Sequence, residues 1–328
     1  MEGIFPPLLA NQQRKNHSIG QLAANIVMSF EIISTLHVLI DFLISWWKAP
    51  DLAKWLNHWN IIETEIKEWI GFDIANILPA RHTTYKFQCY LAIFYVIMPA
   101  LIFGTLLVSW EFNISYPIYC VMLIVHAYAS MVCYCAEDAK AIIMFKCLVE
   151  GFGKIYAHLE TNPQALDARK LEHILTKIRS QAYYCGTHMA FQQLLLILAT
   201  IYFAAGSLFA TVTILSGPVG DTKDELTMIA VVSISAIQTM ARLYFKIRVA
   251  VGITREESRV SDMIKKRELG DQRVAVDLRN VHDMLTNNPT EISLSDFVKL
   301  NNDLILGVFQ QIFTQFIVLM QFHKIKEG

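Results

Sequence analysis

Near the end of this 328-residue chain, five polar side chains interrupt an otherwise apolar run from Leu304 to Phe322. They are Gln310, Gln311, Thr314, Gln315 and Gln321. A carboxamide carries a carbonyl oxygen and two N–H donors but no charge. Along a helix, such groups can stand in for the hydration water of a passing cation or hydrogen-bond a neighbouring helix. At helical spacing Gln310, Thr314 and Gln321 share one face, and Gln311 and Gln315 share the next. Inter-helix bonds of this kind add about 0.6–2 kcal/mol each in a membrane. Polar groups along a face for the full length of the helix exceed what packing needs, so a water-lined path is the favoured reading.

A second set, Glu31, His37 and Asp41, lies in the apolar stretch Leu22 to Trp47. Ionisable groups at membrane depth are functional candidates, here a proton or substrate relay. The four-residue spacing of His37 and Asp41 puts them on one face, with Glu31 rotated away. The alternatives are an inter-helix hydrogen bond, or an Asp41 close enough to the interface to reach water. His126 is a candidate of the same kind, while His188 reads as an interfacial residue. No catalytic constellation is present: no G-x-S-x-G, phosphate loop, H-E-x-x-H or usefully spaced carboxylate pair. An enzyme is therefore not expected. Cys133 and Cys135 lack a second pair at zinc spacing, so neither a metal nor a cofactor is expected.

These groups must be held by helices. The chain is 54% hydrophobic and 17% charged, where a soluble domain carries nearer a quarter charged residues. Its formal net charge of −1 offers no basic field for nucleic acid. Six segments are long enough to cross about 30 Å of hydrocarbon: Leu22–Trp47 (A), Gln88–Trp110 (B), Tyr116 to near Cys135 (C), Met189–Leu215 (D), Leu226 to about Val249 (E) and Leu304–Phe322 (F). Backbone groups cannot go unpaired in lipid, so helices are expected throughout. Met1 to Gln13 does not read as a secretory signal.

Lys and Arg are concentrated in the A–B, C–D and E–F connections, absent from B–C, and limited to Lys223 in D–E. The three long connections are therefore expected inside and the two short ones outside, leaving the C-terminus outside. The sequons at Asn16 and Asn113 agree with this scheme, and Pro289 disqualifies Asn288. Trp46, Trp47 and Trp110 read as interfacial anchors.

The inner connections are patterned as helices. Ile142, Phe145, Leu148, Phe152 and Ile155 continue helix C to about Leu159, and Asn162-Pro163 breaks it. A second helix is expected from near Asp167, with Leu171, Ile174, Leu175 and Ile178 on one face, running into D. The hairpin spans about 136–188, and its apolar faces imply a cytoplasmic bundle or a subunit interface. In the E–F connection, Val260, Met263, Ile264, Val274, Val276, Leu278, Val281 and Leu285 alternate with charges, and Asn287-Asn288-Pro289 ends the segment. Ser293-x-x-Asp296 then predicts a short helix feeding F.

Thr314-Gln315, five apolar residues and Gln321-Phe322 resemble the C-terminal signature of insect gustatory receptors, Thr-Tyr, five apolar residues, Gln-Phe. Gln315 stands where Tyr is usual. The resemblance extends over A to F in order, with long inner and short outer connections, but only the last thirty residues carry a specific motif. Family members have seven membrane helices; this sequence shows six, with A corresponding to the family's second. The resemblance implies an all-α, multi-pass plasma-membrane protein related to insect odorant receptors. Residues 1–250 would form the ligand-binding bundle, and 251–328 an anchor segment and the pore-lining helix. It implies a ligand-gated, non-selective cation channel passing monovalent cations, with calcium as a further candidate. The assembly would be a homotetramer or a heteromer with related receptors. Thr314, Gln315, Val318, Gln321 and Phe322 would line or gate the pore. Trp110, Tyr116, Tyr119, Tyr202, Thr211 and Gln238 lie at a depth suited to a small-molecule tastant, and Asn113 is the glycosylation candidate.

Two other classes compete: a transporter using Glu31, His37 and Asp41, and a non-conducting accessory subunit. A G-protein-coupled receptor is disfavoured, because D-R-Y and N-P-x-x-Y patterns are absent at the helix ends. The charge pattern predicts that antibody to a C-terminal tag labels intact cells. Labelling only after permeabilisation would overturn the topology.

Overall fold

A computed structural model describes residues 21–70, 117–162, 167–216, 222–268 and 275–327, with single positions at 89, 93 and 97. The described residues form six helices and one small hairpin: α1 (Gln21–Ile70), α2 (Pro117–Thr161), α3 (Ala168–Ser216), α4 (Thr222–Glu268), α5 (Ala275–Asn287), β1 (Ser293–Leu294), β2 (Val298–Lys299) and α6 (Asn302–Glu327). Segments A, C, D, E and F lie within α1, α2, α3, α4 and α6. Segment B lies outside the described residues apart from the three single positions. The boundary expected at residue 250 falls inside α4.

The four long helices have 45 to 50 residues. At about 1.5 Å per residue each runs roughly 70 Å, about twice the hydrocarbon thickness. Each is therefore an apolar half joined to a stalk that must bury its own stripe. Among the described residues two helices pass the test of length and apolarity for a span, over Ala168–Thr213 and Asn302–Gln321. This is fewer than the six segments expected from sequence. The side chains of much of segments A, C and E, and almost all of segment B, lie outside the described residues to which that comparison applies.

The core lies in the stalks. Phe145, Leu148, Phe152, Ile155 and Leu159 of α2 meet Leu171, Ile174, Leu175 and Ile178 of α3, and all are fully or almost fully buried. Val260 and Ile264 of α4 join them, as do Leu278, Val281 and Leu285 of α5. These are the stripes expected from periodicity. The helix boundaries also follow local chemistry. Asp167 Oδ1 accepts from the backbone N–H groups of Arg169 and Lys170 at 3.1 Å, capping α3. Asn301 Oδ1 accepts from Leu304 N at 3.1 Å and caps α6. Helix α2 stops at Thr161, ahead of Asn162-Pro163.

Two expectations are corrected. The first helix does not end at Trp47 but continues to Ile70. Pro50 cannot donate to the carbonyl one turn earlier, yet tertiary packing carries the helix past it. Trp55, Trp59, Ile62, Ile66 and Ile70 form a buried stripe. Trp55 Nε1 donates to Gln181 O at 3.1 Å. The Trp59 ring fits where a Cβ on Gly151 would come within 2.9 Å of it. The second correction concerns Ser293–Asp296, which forms a hairpin and not a helix start. Leu294 pairs with Val298 and Ser293 with Lys299. Ser295 and Asp296 have φ of 50° and 60°, and Phe297 N donates to Leu294 O at 3.2 Å. Two successive positive φ values are the backbone of a tight hairpin turn, which is incompatible with a right-handed helix.

Phe152 has no exposed surface and sits where α1, α2 and α3 meet. Phe152→Ala is expected to cost about 3–5 kcal/mol, read as a lowered unfolding midpoint of the solubilised protein. An unchanged midpoint would show that the stalk bundle is not the stabilising core.

Candidate functional site: an exposed terminal helix and a buried charge cluster

Helix α6 rests on the rest of the chain by a narrow stripe. Val308 and Ile312 are each 3% exposed and pack with Leu304 and Ile305 against the core, and α3 is the main neighbour. Almost everything else on the helix is exposed, including Gln310, Gln311, Phe313, Thr314, Gln315, Ile317, Val318 and Gln321. At about 100° per residue, Gln310, Thr314 and Gln321 lie roughly opposite the Val308–Ile312 stripe, and Gln311, Gln315 and Val318 lie on one flank. Thr314 Oγ1 donates to Gln310 O at 2.9 Å. Among the described residues no hydrogen bond reaches the side chains of Gln310, Gln311, Gln315 or Gln321. Amides at this depth need water or another chain, so packing within one chain does not account for them. Phe322 lies in α6, and its side chain is outside the described residues.

Where the apolar halves join the stalks, α1 to α4 meet through a buried polar chain. Asp138 of α2 is fully buried. Its Oδ2 is 2.7 Å from Arg242 Nε and its Oδ1 is 2.8 Å from Lys246 Nζ, both on α4. Lys246 Nζ donates to Gln193 Oε1 of α3 at 3.0 Å, and Gln193 Nε2 donates to Glu137 Oε1 at 2.9 Å. Glu137 Oε2 is 2.6 Å from Lys140 Nζ, which also donates to Gln192 Oε1 at 2.8 Å. Gln192 Nε2 then donates to Asp41 Oδ1 of α1 at 2.7 Å and to Ser45 Oγ at 2.8 Å. Each glutamine thus accepts from a cation and donates to an anion. Three carboxylates face three cations, so the cluster is neutral as a whole. Beside it, Tyr134 OH and His37 Nδ1 are 3.3 Å apart, and the Arg242 guanidinium lies 4.7 Å from the Tyr134 ring centroid.

Burial alone would raise the Asp138 carboxyl. Arg242 and Lys246 outweigh it and hold the group below the usual carboxylate range. Burial pushes the Cys147 thiol up to about 12 and raises Cys185 as well. Both thiols therefore stay protonated and unreactive at neutral pH.

His37 and Asp41 share a face, as their spacing predicts, and both are 4% exposed. The Glu31 and His126 side chains are outside the described residues. His188 is buried, and its carbonyl accepts from Lys48 Nζ at 2.6 Å. Sequence reasoning missed the charged partners. Glu137 and Asp138 follow directly on the expected end of helix C near Cys135, and Arg242 and Lys246 lie inside helix E. The available signal was Arg242-x-x-x-Lys246, two cations one turn apart inside an apolar run.

A groove of about 380 Å³ lies between α1 and α3, lined by Ile33, Leu36, His37, Ile40, Leu198 and Tyr202 among others. Tyr202 thus faces a cavity, whereas Thr211 and Gln238 are half-buried and do not line it. Trp110, Tyr116 and Asn113 lie outside the described residues, as does the side chain of Tyr119.

Four long helices joined at a buried charge cluster, with a terminal helix laid against them, make an all-α fold. The chain is similar to the insect olfactory receptor OR5 from Machilis hrabei. Against the structure of that receptor in complex with eugenol, the TM-score is 0.56 at 13% identity, covering 95% of this chain and 84% of that one. Against a further structure of the same receptor the TM-score is 0.59 at 15% identity, covering 93% and 82%. At these identities the likeness establishes the fold. No family model and no curated protein matches the sequence.

Asp138→Ala would leave Arg242 and Lys246 buried without their shared anion. Breaking a buried ion pair from one side is expected to cost about 3–5 kcal/mol, seen as a lowered unfolding midpoint and loss of the monodisperse particle. A midpoint within error of the parent would show that the cluster does not hold the helices together.

Proposed function

We propose that this chain is a chemosensory receptor of gustatory type, acting as a ligand-gated, non-selective cation channel in the plasma membrane. The observation that carries the reading is α6, an apolar helix of spanning length. It is buried along one narrow stripe and bears four glutamines without partners among the described residues. The fold shared with OR5, a receptor solved in complex with eugenol, supports the reading. In the proposed assembly four chains, identical or related, place their α6 helices around an axis. Gln321 and Phe322 then stand at the outer gate, with Thr314 below them on the same face and Gln315 and Val318 on the flank that borders it. The amides meet hydrated monovalent cations and calcium, and the aromatic ring closes the path by dewetting. A small-molecule tastant binds in the outer half, with Trp110, Tyr116, Tyr119, Tyr202, Thr211 and Gln238 as candidate contacts. Asn113 is the proposed glycan site, and the C-terminus lies outside.

The transporter alternative uses Glu31, His37 and Asp41, of which the Glu31 side chain is outside the described residues. The engagement of His37 and Asp41 by Tyr134 and Gln192 suits a fixed polar contact better than a relay.

The purified chain, reconstituted in lipid and challenged with a tastant panel, is expected to run as a tetramer and pass cation current. Gln321→Glu adds a carboxylate at the gate in every subunit and is expected to raise calcium block or permeability several-fold. Unaltered permeation in a conducting Gln321→Glu channel would remove that residue from the pore. A stable single-chain particle would sink the central-pore arrangement.

A further inference from the structure

The segment that delivers α6 is held at two places on the long helices. The first is steric. Gly186 is buried on the face of α3 that also carries Ala182, Cys185 and Met189. A Cβ built on it would collide with the Ser293 carbonyl oxygen, and would lie 3.1 Å from the Ser293 carbonyl carbon and 3.3 Å from its nitrogen. Backbone cannot retreat as a flexible side chain can, so strand β1 occupies the space that any side chain at 186 would need. The strand is pinned there from both ends. Ile292, Leu294 and Leu300 are buried, and Leu300 N donates to Ile292 O at 2.9 Å. Helix α6 begins two residues later.

The second hold is polar. Glu257 of α4, 1% exposed, accepts from both the backbone N–H and the hydroxyl of Thr290, the latter at 2.6 Å. The Thr290 carbonyl accepts from Thr254 Oγ1 at 2.7 Å. Arg179 of α3 donates to Asn288 O and, at 3.0 Å, to Met284 O, and its Nε is 3.6 Å from Glu257. Residues 288–294 are thus fastened to α3 and α4 together, while among the described residues α6 itself packs on the core through Val308 and Ile312, with Leu304 and Ile305 beside them.

We propose that the Gly186 seat and the Arg179–Glu257–Thr290 clasp position the terminal helix, so that relative movement of α3 and α4 is transmitted to α6 through the hairpin. This coupling rests on the channel reading for its consequence, though not for its geometry. Gly186, Glu257 and Thr290 are positioning residues: none lies on α6 or lines the groove.

The test uses the full chain in lipid nanodiscs, with amide exchange over residues 288–312 measured alongside tastant-evoked current and tastant-induced thermal shift. In Gly186→Ala, exchange of the hairpin and the first turns of α6 should quicken by about tenfold, while α2 and α3 keep their protection. Evoked current should fall by about tenfold with the thermal shift retained, because binding persists and transmission fails. Thr290→Val removes one donor to Glu257 with little change in volume. It should move the same readouts in the same direction by less, and it serves if Gly186→Ala does not fold. Parental exchange across 288–312 in Gly186→Ala overturns the seat whatever the currents do. Loosened exchange with parental current overturns the coupling. A silent parent chain sinks the channel reading alone, since the exchange of α6 still decides whether the hairpin positions it.

Discussion

The Asp138 carboxylate, with no exposed surface and two cations within hydrogen-bonding distance, is the constraint on which the arrangement of the long helices depends. A charge removed from water is tolerated only where its partners are fixed. The partners here come from α4, and through Gln193 and Gln192 the chain of contacts reaches α3 and α1. Helices about 70 Å long could slide by a turn along greasy faces with little penalty. A slide of one turn would carry Arg242 and Lys246 about 5 Å from the carboxylate and leave several charges stranded. Apolar burial in the stalks supplies stability, whereas the cluster supplies register. That division suits its position where the apolar halves meet the stalks.

Register at the cluster sets geometry further down. Once α3 and α4 are locked side by side, Arg179 and Gly186 on one and Thr254 and Glu257 on the other present a fixed cleft to the returning chain. The hairpin with Ser295 and Asp296 at positive φ fits that cleft, because a helix there would need room that the approach of β1 to Gly186 removes. Helix α6 therefore starts from a defined point, although its own contacts with the chain are few. A helix with a narrow contact stripe is thus placed by a segment with several polar ties to α3 and α4.

The stalks were legible because their signals are redundant. Phe145 to Leu159 repeats at helical spacing, Asp167 is a cap residue, and Asn162-Pro163 is a break; each points to the same boundary. The cluster was not legible because Glu137, Asp138 and Lys140 resemble the end of a membrane span. Charges at a helix exit normally meet water, and nothing local tells that α4 closes over them. The continuation of α1 was hidden by Pro50, a residue that usually ends a helix. Here the Trp55–Ile70 stripe, packed on Gly151, outweighs one missing hydrogen bond. At Ser293–Asp296 the local signal was real but ambiguous, since Ser and Asp serve helix caps and left-handed turns alike. The competing contact was Gly186, more than a hundred residues earlier. For α6 the structure adds the exposure of both polar stripes along the helix.

The two polar stripes of α6 constrain any symmetric assembly. With Val308 and Ile312 turned to α3 of the same chain, the Gln310–Thr314–Gln321 face points away from it, and Gln311, Gln315 and Val318 occupy the flank between. In a closed ring each helix has one side toward the axis and one toward its neighbour, so both stripes cannot face the axis. In the proposed channel the face opposite α3 would be the inner wall, with Gln310, Thr314 and Gln321 on it. The flank with Gln315 then meets the next chain, where a carboxamide can bond across the interface. Gln315, which stands where the signature that this span resembles has Tyr, would in such a ring fall beside a contact between subunits.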